Sequence, residues 1–134
     1  KPLADAKRIE LKKEFTEVKV MADEKNLALL VGILLDNAIK YSPEKTVITV
    51  RIERKDNHGL ISVIDKGPGI AADDLPHIFE RFFRADSSRT KEQVAGNGLG
   101  LSIAQKTAAA LNGAIIAKSE VGEGSTFTLR LPVA

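Results

Sequence analysis

The sequence predicts an α/β (or α+β) two-layer sandwich, a mixed β-sheet with helices packed on one face. Three observations lead there. Leu30–Ser42, reading LVGILLDNAIKYS, has helical apolar spacing. Val47–Arg54 alternates and, after a turn, Leu60–Ile64 returns as a strand, as in a hairpin. Ala114–Ser119 and Ser125–Leu131 read as two further strands behind a second helical stretch.

Composition narrows the class. The 134 residues have the length of one domain with a full core, so 1–134 read as one unit with 1–8 as a linker tail. A hydrophobic fraction of 43% beside 28% charged residues is that of a globular protein and excludes disorder. A net charge of +2 is too small to imply a nucleic-acid or acidic-surface partner. With no cysteine, disulfides and cysteine-ligated zinc are excluded. No apolar run approaches the ~20 residues of a membrane span, and no signal peptide is visible. Because the chain opens on Lys1 and not on methionine, it is expected to be a piece of a longer protein.

Taken in order, Pro2–Arg8 reads as a short helical tail. Ile9, Leu11 and Phe15, then Val18, Val20 and Ala22, suggest two short strands joined at Thr16–Glu17. Asp23 is placed to cap the first helix, and Pro43 ends it. On that helix Leu27, Val31, Leu34, Leu35 and Ala38 share an arc that is predicted to be the core face. Asn37, Lys40 and Tyr41 gather on a neighbouring arc, with Leu30 and Ile33 beside them. Asp56-Asn57-His58-Gly59 reads as the hairpin turn. DKGPGI, Asp65–Ile70, follows the second hairpin strand directly, and IFERFFR, Ile78–Arg84, lies in a short helical or irregular stretch. Ala85–Ala95 is polar and aperiodic, a mobile loop. GNGLGL, Gly96–Leu101, opens the second helix, which runs through Ala104, Ala108 and Leu111 to a stop at Asn112-Gly113. Gly122-Glu123-Gly124 turns the last hairpin.

Each motif carries chemistry and also a plainer meaning. An amide oxygen at Asn37 is a hard ligand for magnesium, and the Lys40 ammonium can meet a phosphate as a point charge. A helix with a polar flank would read the same way. Asp65, with Gly67 and Gly69 behind it, offers a carboxylate acceptor beside backbone that a flat ring can approach, suited to the exocyclic amine of adenine. A Gly/Pro turn after a strand is the alternative. Three glycines at a helix start expose N–H groups beside the positive end of the helix dipole, a phosphate seat. The spacing is neither the dinucleotide fingerprint nor a Walker loop. Arg81 and Arg84 could put a cation against phosphate, or simply flank a hydrophobic plug of Phe79, Phe82 and Phe83.

The order of these motifs is more specific than any one of them. Asn37-Ala38-x-Lys40-Tyr41-Ser42, Asp65-x-Gly67-x-Gly69-Ile70, the aromatic–arginine segment and Gly96-x-Gly98-Leu99-Gly100-Leu101 follow one another at domain-scale spacing. This closely resembles the ATP-binding catalytic domain of bacterial sensor histidine kinases, in the Bergerat-fold superfamily with gyrase B, heat-shock chaperone and mismatch-repair ATPases. SEVGEGSTFTLRLP, Ser119–Pro132, is similar to the family's closing strands, so the resemblance spans about Ile9 to Pro132.

The resemblance implies a site for ATP and Mg2+. Asn37 would be the magnesium ligand, Lys40 would touch phosphate and Tyr41 would border the nucleotide. Asp65 would accept the adenine amine, with Gly67, Gly69, Ile70 and Phe79 around the nucleotide. Arg84 would reach the γ-phosphate. Gly96, Gly98, Leu99 and Gly100 would hinge the ATP lid and seat phosphates, residues 71–95 forming the family's F-box segment and lid. Asn37, Lys40 and Arg84 would be the catalytic set, since phosphoryl transfer asks a protein chiefly for electrostatic positioning. The implied activity is donation of the γ-phosphoryl group to a histidine on a separate helical dimerisation and phosphoacceptor domain. That belongs to two-component signalling, with a response regulator reached through the parent kinase. A cytoplasmic location is implied, the parent being membrane-anchored or not, and the fragment alone is expected to be monomeric.

Two departures qualify this. Where the family commonly has a second asparagine, or the related ATPases a glutamate, this chain has Ile33, which neither binds metal nor activates water. The only histidines, His58 and His77, lie outside the family's acceptor motif and read as surface residues. The alternative is therefore a nucleotide-binding interaction module with little or no transfer activity. A hydrolytic ATPase is disfavoured by the apolar residue at position 33.

Overall fold

A computed structural model describes residues 8–80 and 99–133. Their elements are β1 (Glu10–Phe15), α1 (Glu24–Tyr41), β2 (Val47–Lys55), β3 (His58–Asp65), a 3-10 turn (Leu75–His77), α2 (Leu99–Ala110), β4 (Ala114–Glu120) and β5 (Gly124–Pro132). The strands form a five-stranded sheet in the order β1-β2-β3-β5-β4. β1 runs parallel to β2 and every other pairing is antiparallel, so the sheet is mixed, as expected.

Register gives each face its chemistry. On one face Val50, Val63, Phe127 and Ala117 stand abreast, and next to them Ile52, Ile61, Leu129 and Ile115. These residues join Ile48 and Leu131 in or against the core. α1 packs over β3 and α2 over β4 and β5, and the two helices touch each other. The opposite face is polar at its contacts. Arg51 donates to Glu14 across β1 and β2 at 2.8 Å, and the Ser62 and Thr128 hydroxyls share a hydrogen bond of 2.9 Å. Fully burying a Leu or Ile side chain contributes about 1.5–3 kcal/mol, so the layered apolar rows carry most of the stabilisation.

α1 is rotated from its expected setting. Leu30, placed by periodicity beside the polar arc, is completely buried, with Leu34, Ala38 and Ile39. Leu27, Val31 and Leu35 are only partly buried against that core. The helix meets the sheet on one side and α2 on another, so its buried arc is wider than one stripe. Asp23 takes the N-cap position but makes no side-chain cap bond, and its Oδ1 accepts from Asn26 Nδ2 at 2.8 Å. The helix stops at Tyr41, one residue before the Ser42 C-cap and two before Pro43.

Other expectations are corrected locally. Val18–Ala22 makes no strand, only a single bridge from Val20 to Val133. Instead Val18 and Val20 lie over Gly59, filling the space a side chain there would need. The hairpin turn is Asp56-Asn57, with Asp56 at φ 56, while His58 and Gly59 already belong to β3. α2 ends in a Schellman motif: Asn112 sits at φ 63, Gly113 N–H donates to Ala108 O at 2.8 Å and Asn112 N–H to Ala109 O at 3.0 Å.

Candidate functional site

Asp65 closes β3 on the helix-facing side of the sheet, where the alternation through Ile61 and Val63 would place another apolar residue. It is a carboxylate only 5% exposed. Its Oδ1 accepts from Gly67 N–H at 2.8 Å and from Ser125 N–H at 3.2 Å. No hydrogen bond among the described residues ends on Oδ2, which is thus open to a further donor. Burial pushes the Asp65 carboxyl above the ordinary carboxylate range, while the two backbone donors pull it back.

The loop after Asp65 is held from two sides. A Cβ on Gly67 would stand 2.7 Å from the Tyr41 carbonyl oxygen, so the loop lies directly on the last turn of α1. Gly69 has φ +82, and a side chain there would run into the Glu120 carbonyl. Both glycines of DKGPGI are thus required by space, and Gly69 also by conformation. On the β4–β5 side, Ile70 N–H donates to Ser119 Oγ at 2.7 Å and Gly122 N–H to Pro68 O at 2.8 Å.

α1 supplies the other wall. Asn37 and Lys40 are half-buried, and Tyr41 is 36% exposed at the helix end. One turn before Asn37, Ile33 Cγ2 lies 3.6 Å from where a Cβ on Gly100 would stand, in the first turn of α2. One turn after it, the Tyr41 backbone meets Gly67. Four residues of helix are about 6 Å, so Asn37 sits midway between the Asp65 loop and the start of α2. Ile33 is also half-buried against the core, so it faces both ways.

Phe79 packs edge-on against Phe127, ring centroids 6.5 Å apart at 79°, with Ile78 buried beside it. Phe127 is two residues from Ser125 along β5, so the start of IFERFFR is anchored below the Asp65 row. Arg84, Gly96, Gly98 and the lid at Ala85–Ala95 lie outside the described residues. α2 begins at Leu99, so of the three glycines only Gly100 is helical in the described part.

Sequence reasoning missed Ser119 and Ser125. They face each other across the β4–β5 hairpin, a pairing that the turn Gly122-Glu123-Gly124 between them would have indicated. The two histidines stand apart from the carboxylate in role. His58 opens the strand that Asp65 closes, and exposed His77 pairs with Glu80 at 2.8 Å, whose carboxylate raises its pKa.

The donor set fits a magnesium ion carried by phosphates. Among the described residues no group of three His, Cys, Asp or Glu could cage a metal. A lone amide oxygen at Asn37 suits an ion that keeps waters and phosphate oxygens as its other ligands.

Comparison with known proteins identifies the family and the fold. The family model described as histidine kinase-, DNA gyrase B-, and HSP90-like ATPase matches residues 22–134. The chain is 43% identical over 117 residues to the sensor-like histidine kinase SenX3 of Mycolicibacterium smegmatis, covering 87% of this chain and 30% of that protein. It is 45% identical over 97 residues to the signal transduction histidine-protein kinase ArlS of Staphylococcus aureus, covering 72% of this chain and 21% of that one. The chain therefore spans less than a third of these relatives' length. Among solved structures, the mycobacterial sensor histidine kinase MprB superposes with a TM-score of 0.86 at 30% identity, over 98% of this chain and 89% of that one. Full-length ShkA in complex with AMPPNP superposes with a TM-score of 0.84 at 31% identity, over 99% of this chain and 27% of that one. Among the described residues no helix is long and apolar enough to cross a membrane.

Proposed function

Since the chain belongs to the histidine kinase-, DNA gyrase B-, and HSP90-like ATPase family, we propose that it binds Mg-ATP and donates the γ-phosphoryl group to a histidine on a separate helical acceptor domain of its parent kinase. The observation that carries this reading is Asp65. A nearly buried carboxylate ends the apolar alternation Ile61, Val63 along β3, with one oxygen clamped by two backbone N–H groups and the other open. Burying a charge with a vacant acceptor costs free energy unless a ligand donates to it, and the exocyclic amine of adenine is such a donor.

The remaining residues divide the work along α1 and α2. Gly67 brings the Asp65 loop directly against the last turn of α1, where a side chain would clash. Asn37 would hold magnesium and Lys40 a phosphate, between that loop and the start of α2. When bound, the ion would neutralise charge on the phosphate oxygens. Arg84 would add a cation at the γ-phosphate, and the lid would exclude water. The parent would carry the acceptor helix and pass the phosphoryl group to a response regulator on the cytoplasmic side.

A second reading is favoured by Ile33. An isoleucine packed between Gly100 and the core supplies no oxygen to the metal, so the chain could bind nucleotide and transfer little. Incubation with labelled ATP and a helical acceptor domain distinguishes the two. Labelled acceptor supports the kinase; saturable ATP binding with no label supports the binding module.

A further inference from the structure

The rows on the helix side of the sheet end in three polar residues standing abreast, Asp65 of β3, Ser125 of β5 and Ser119 of β4. The row beneath them, Val63, Phe127 and Ala117, is apolar. A hydroxyl at position 119 is therefore not what the alternation through Ile115 and Ala117 calls for.

Its bonds show a specific use. A serine hydroxyl has one hydrogen to donate and two lone pairs to accept with. Ser119 donates to the Gly124 carbonyl at 3.0 Å, accepts from Ile70 N–H at 2.7 Å and lies 2.7 Å from the Ser125 hydroxyl. With its own hydrogen on Gly124, the Ser125 hydroxyl is the donor in that pair, and the Ser119 oxygen is saturated. Ser125 in turn donates its N–H to Asp65 Oδ1, while Ile70 ends the loop that Asp65 begins. One hydroxyl thus grips both ends of the Asp65–Ile70 loop, at Ile70 directly and at Asp65 through Ser125.

We propose that Ser119 is a positioning residue for base recognition: it fixes the loop so that Asp65 Oδ1 stays clamped and Oδ2 is presented in one direction. The proposal rests on reading Asp65 as the adenine acceptor. It assigns base affinity to a side chain on an edge strand that is itself not expected to touch nucleotide. It also separates base recognition from the phosphate end proposed for Asn37 and Lys40, since the hydrogen bonds named here run only among Asp65, Gly67, Ile70, Ser119, Gly124 and Ser125.

Threonine and valine at position 119 have the same shape, suit a strand equally and differ by the hydroxyl. Calorimetry with adenosine, and with inorganic tripolyphosphate plus magnesium, on the wild type, Ser119→Thr, Ser119→Val and Asp65→Asn makes the test, with a thermal melt of each. Ser119→Val is expected to weaken adenosine about tenfold, the loss of roughly one hydrogen bond, and to leave tripolyphosphate within about twofold. Ser119→Thr is expected to stay within about threefold of wild type for both. If Ser119→Val shows no cooperative melt, Ser119→Ala takes its place in the same comparison. Wild-type adenosine affinity in the hydroxyl-free variant, or equal losses for both probes, would overturn the proposal. Asp65→Asn separates the two claims. Loss of adenosine there with none at position 119 removes Ser119 alone, and no loss there removes the adenine reading and the proposal together.

Discussion

Ile33 of α1 and Gly100 of α2 meet at the point where the two helices converge, with Ile33 Cγ2 3.6 Å from the position of a Gly100 Cβ. The approach gives position 33 a close neighbour at the start of α2, in keeping with an apolar residue there. A small residue on one helix receives a branched one from the other. It also sets Asn37, the proposed magnesium ligand, one turn from an apolar contact and not from a second polar side chain.

Replacing Ile33 by asparagine should therefore have two effects of opposite sign. Transfer to a supplied acceptor domain should rise, because an amide oxygen would face the start of α2. Stability should fall by about 1–2 kcal/mol, since Ile33 packs partly against the core and some of that burial is lost. Single-turnover transfer and thermal melts of both proteins check this. Equal transfer rates would mean that Asn37, Lys40 and Arg84 suffice without a second ligand.

The two glycines of the Asp65 loop should differ in sensitivity. Gly69→Ala meets both a positive φ and the Glu120 carbonyl, so a loss of at least about 1 kcal/mol is expected. Gly67→Ala meets the Tyr41 carbonyl at 2.7 Å and Asp65 Oδ1 at 3.1 Å, without a positive φ, and should shift the loop, weakening ATP more than it lowers the melting temperature. Denaturant melts and ATP titrations of the pair decide it, and the reverse order of effects would contradict the packing described.

Much of this was legible in the sequence, and the rest was hidden for physical reasons. Strand β2 was evident from its period-two alternation, and β3, β4 and β5 from apolar runs bounded by the turns at Asp56-Asn57 and Gly122-Glu123-Gly124. The setting of α1 was not, since ten of its residues are aliphatic (Leu27, Ala28, Leu29, Leu30, Val31, Ile33, Leu34, Leu35, Ala38 and Ile39) and no single stripe stands out. Only contact with both the sheet and α2 selects Leu30 and Ile39 for burial. Asp65, Gly67 and Gly69 announced themselves by type and spacing. Ser119 and Ser125 did not, because their roles arise from cross-strand register.

Asp65 should give stability and binding opposite pH trends. Burial raises its pKa in the folded state, so between the ordinary carboxylate value near about 3.9 and that raised value the native state holds more proton than the unfolded one. Its contribution to stability is therefore present at low pH and is lost as pH rises through the raised pKa. With Asp65 as the proposed adenine acceptor, adenosine should bind more weakly as pH falls through the same window. Asp65→Asn should flatten both dependences, as melts and titrations across mildly acid pH would show; a variant that keeps the wild-type slopes would assign them to another group.

Asn37 should act through the metal. Asn37→Ala is expected to lose the part of nucleotide affinity that depends on magnesium and to keep magnesium-free ADP binding within about threefold, because the amide is assigned no contact with the base. Titrations with and without magnesium check this, and equal losses in both would make Asn37 a structural residue of α1.

The most direct measurement is calorimetric titration of Mg-ATP into the wild-type chain and Asp65→Asn. An amide whose donor replaces the open acceptor leaves the adenine amine unpaired, which costs on the order of 1–3 kcal/mol, or roughly 5- to 150-fold in affinity. The account predicts saturable wild-type binding, that loss in the variant, and a melting transition that remains cooperative. Unchanged affinity in Asp65→Asn would contradict it.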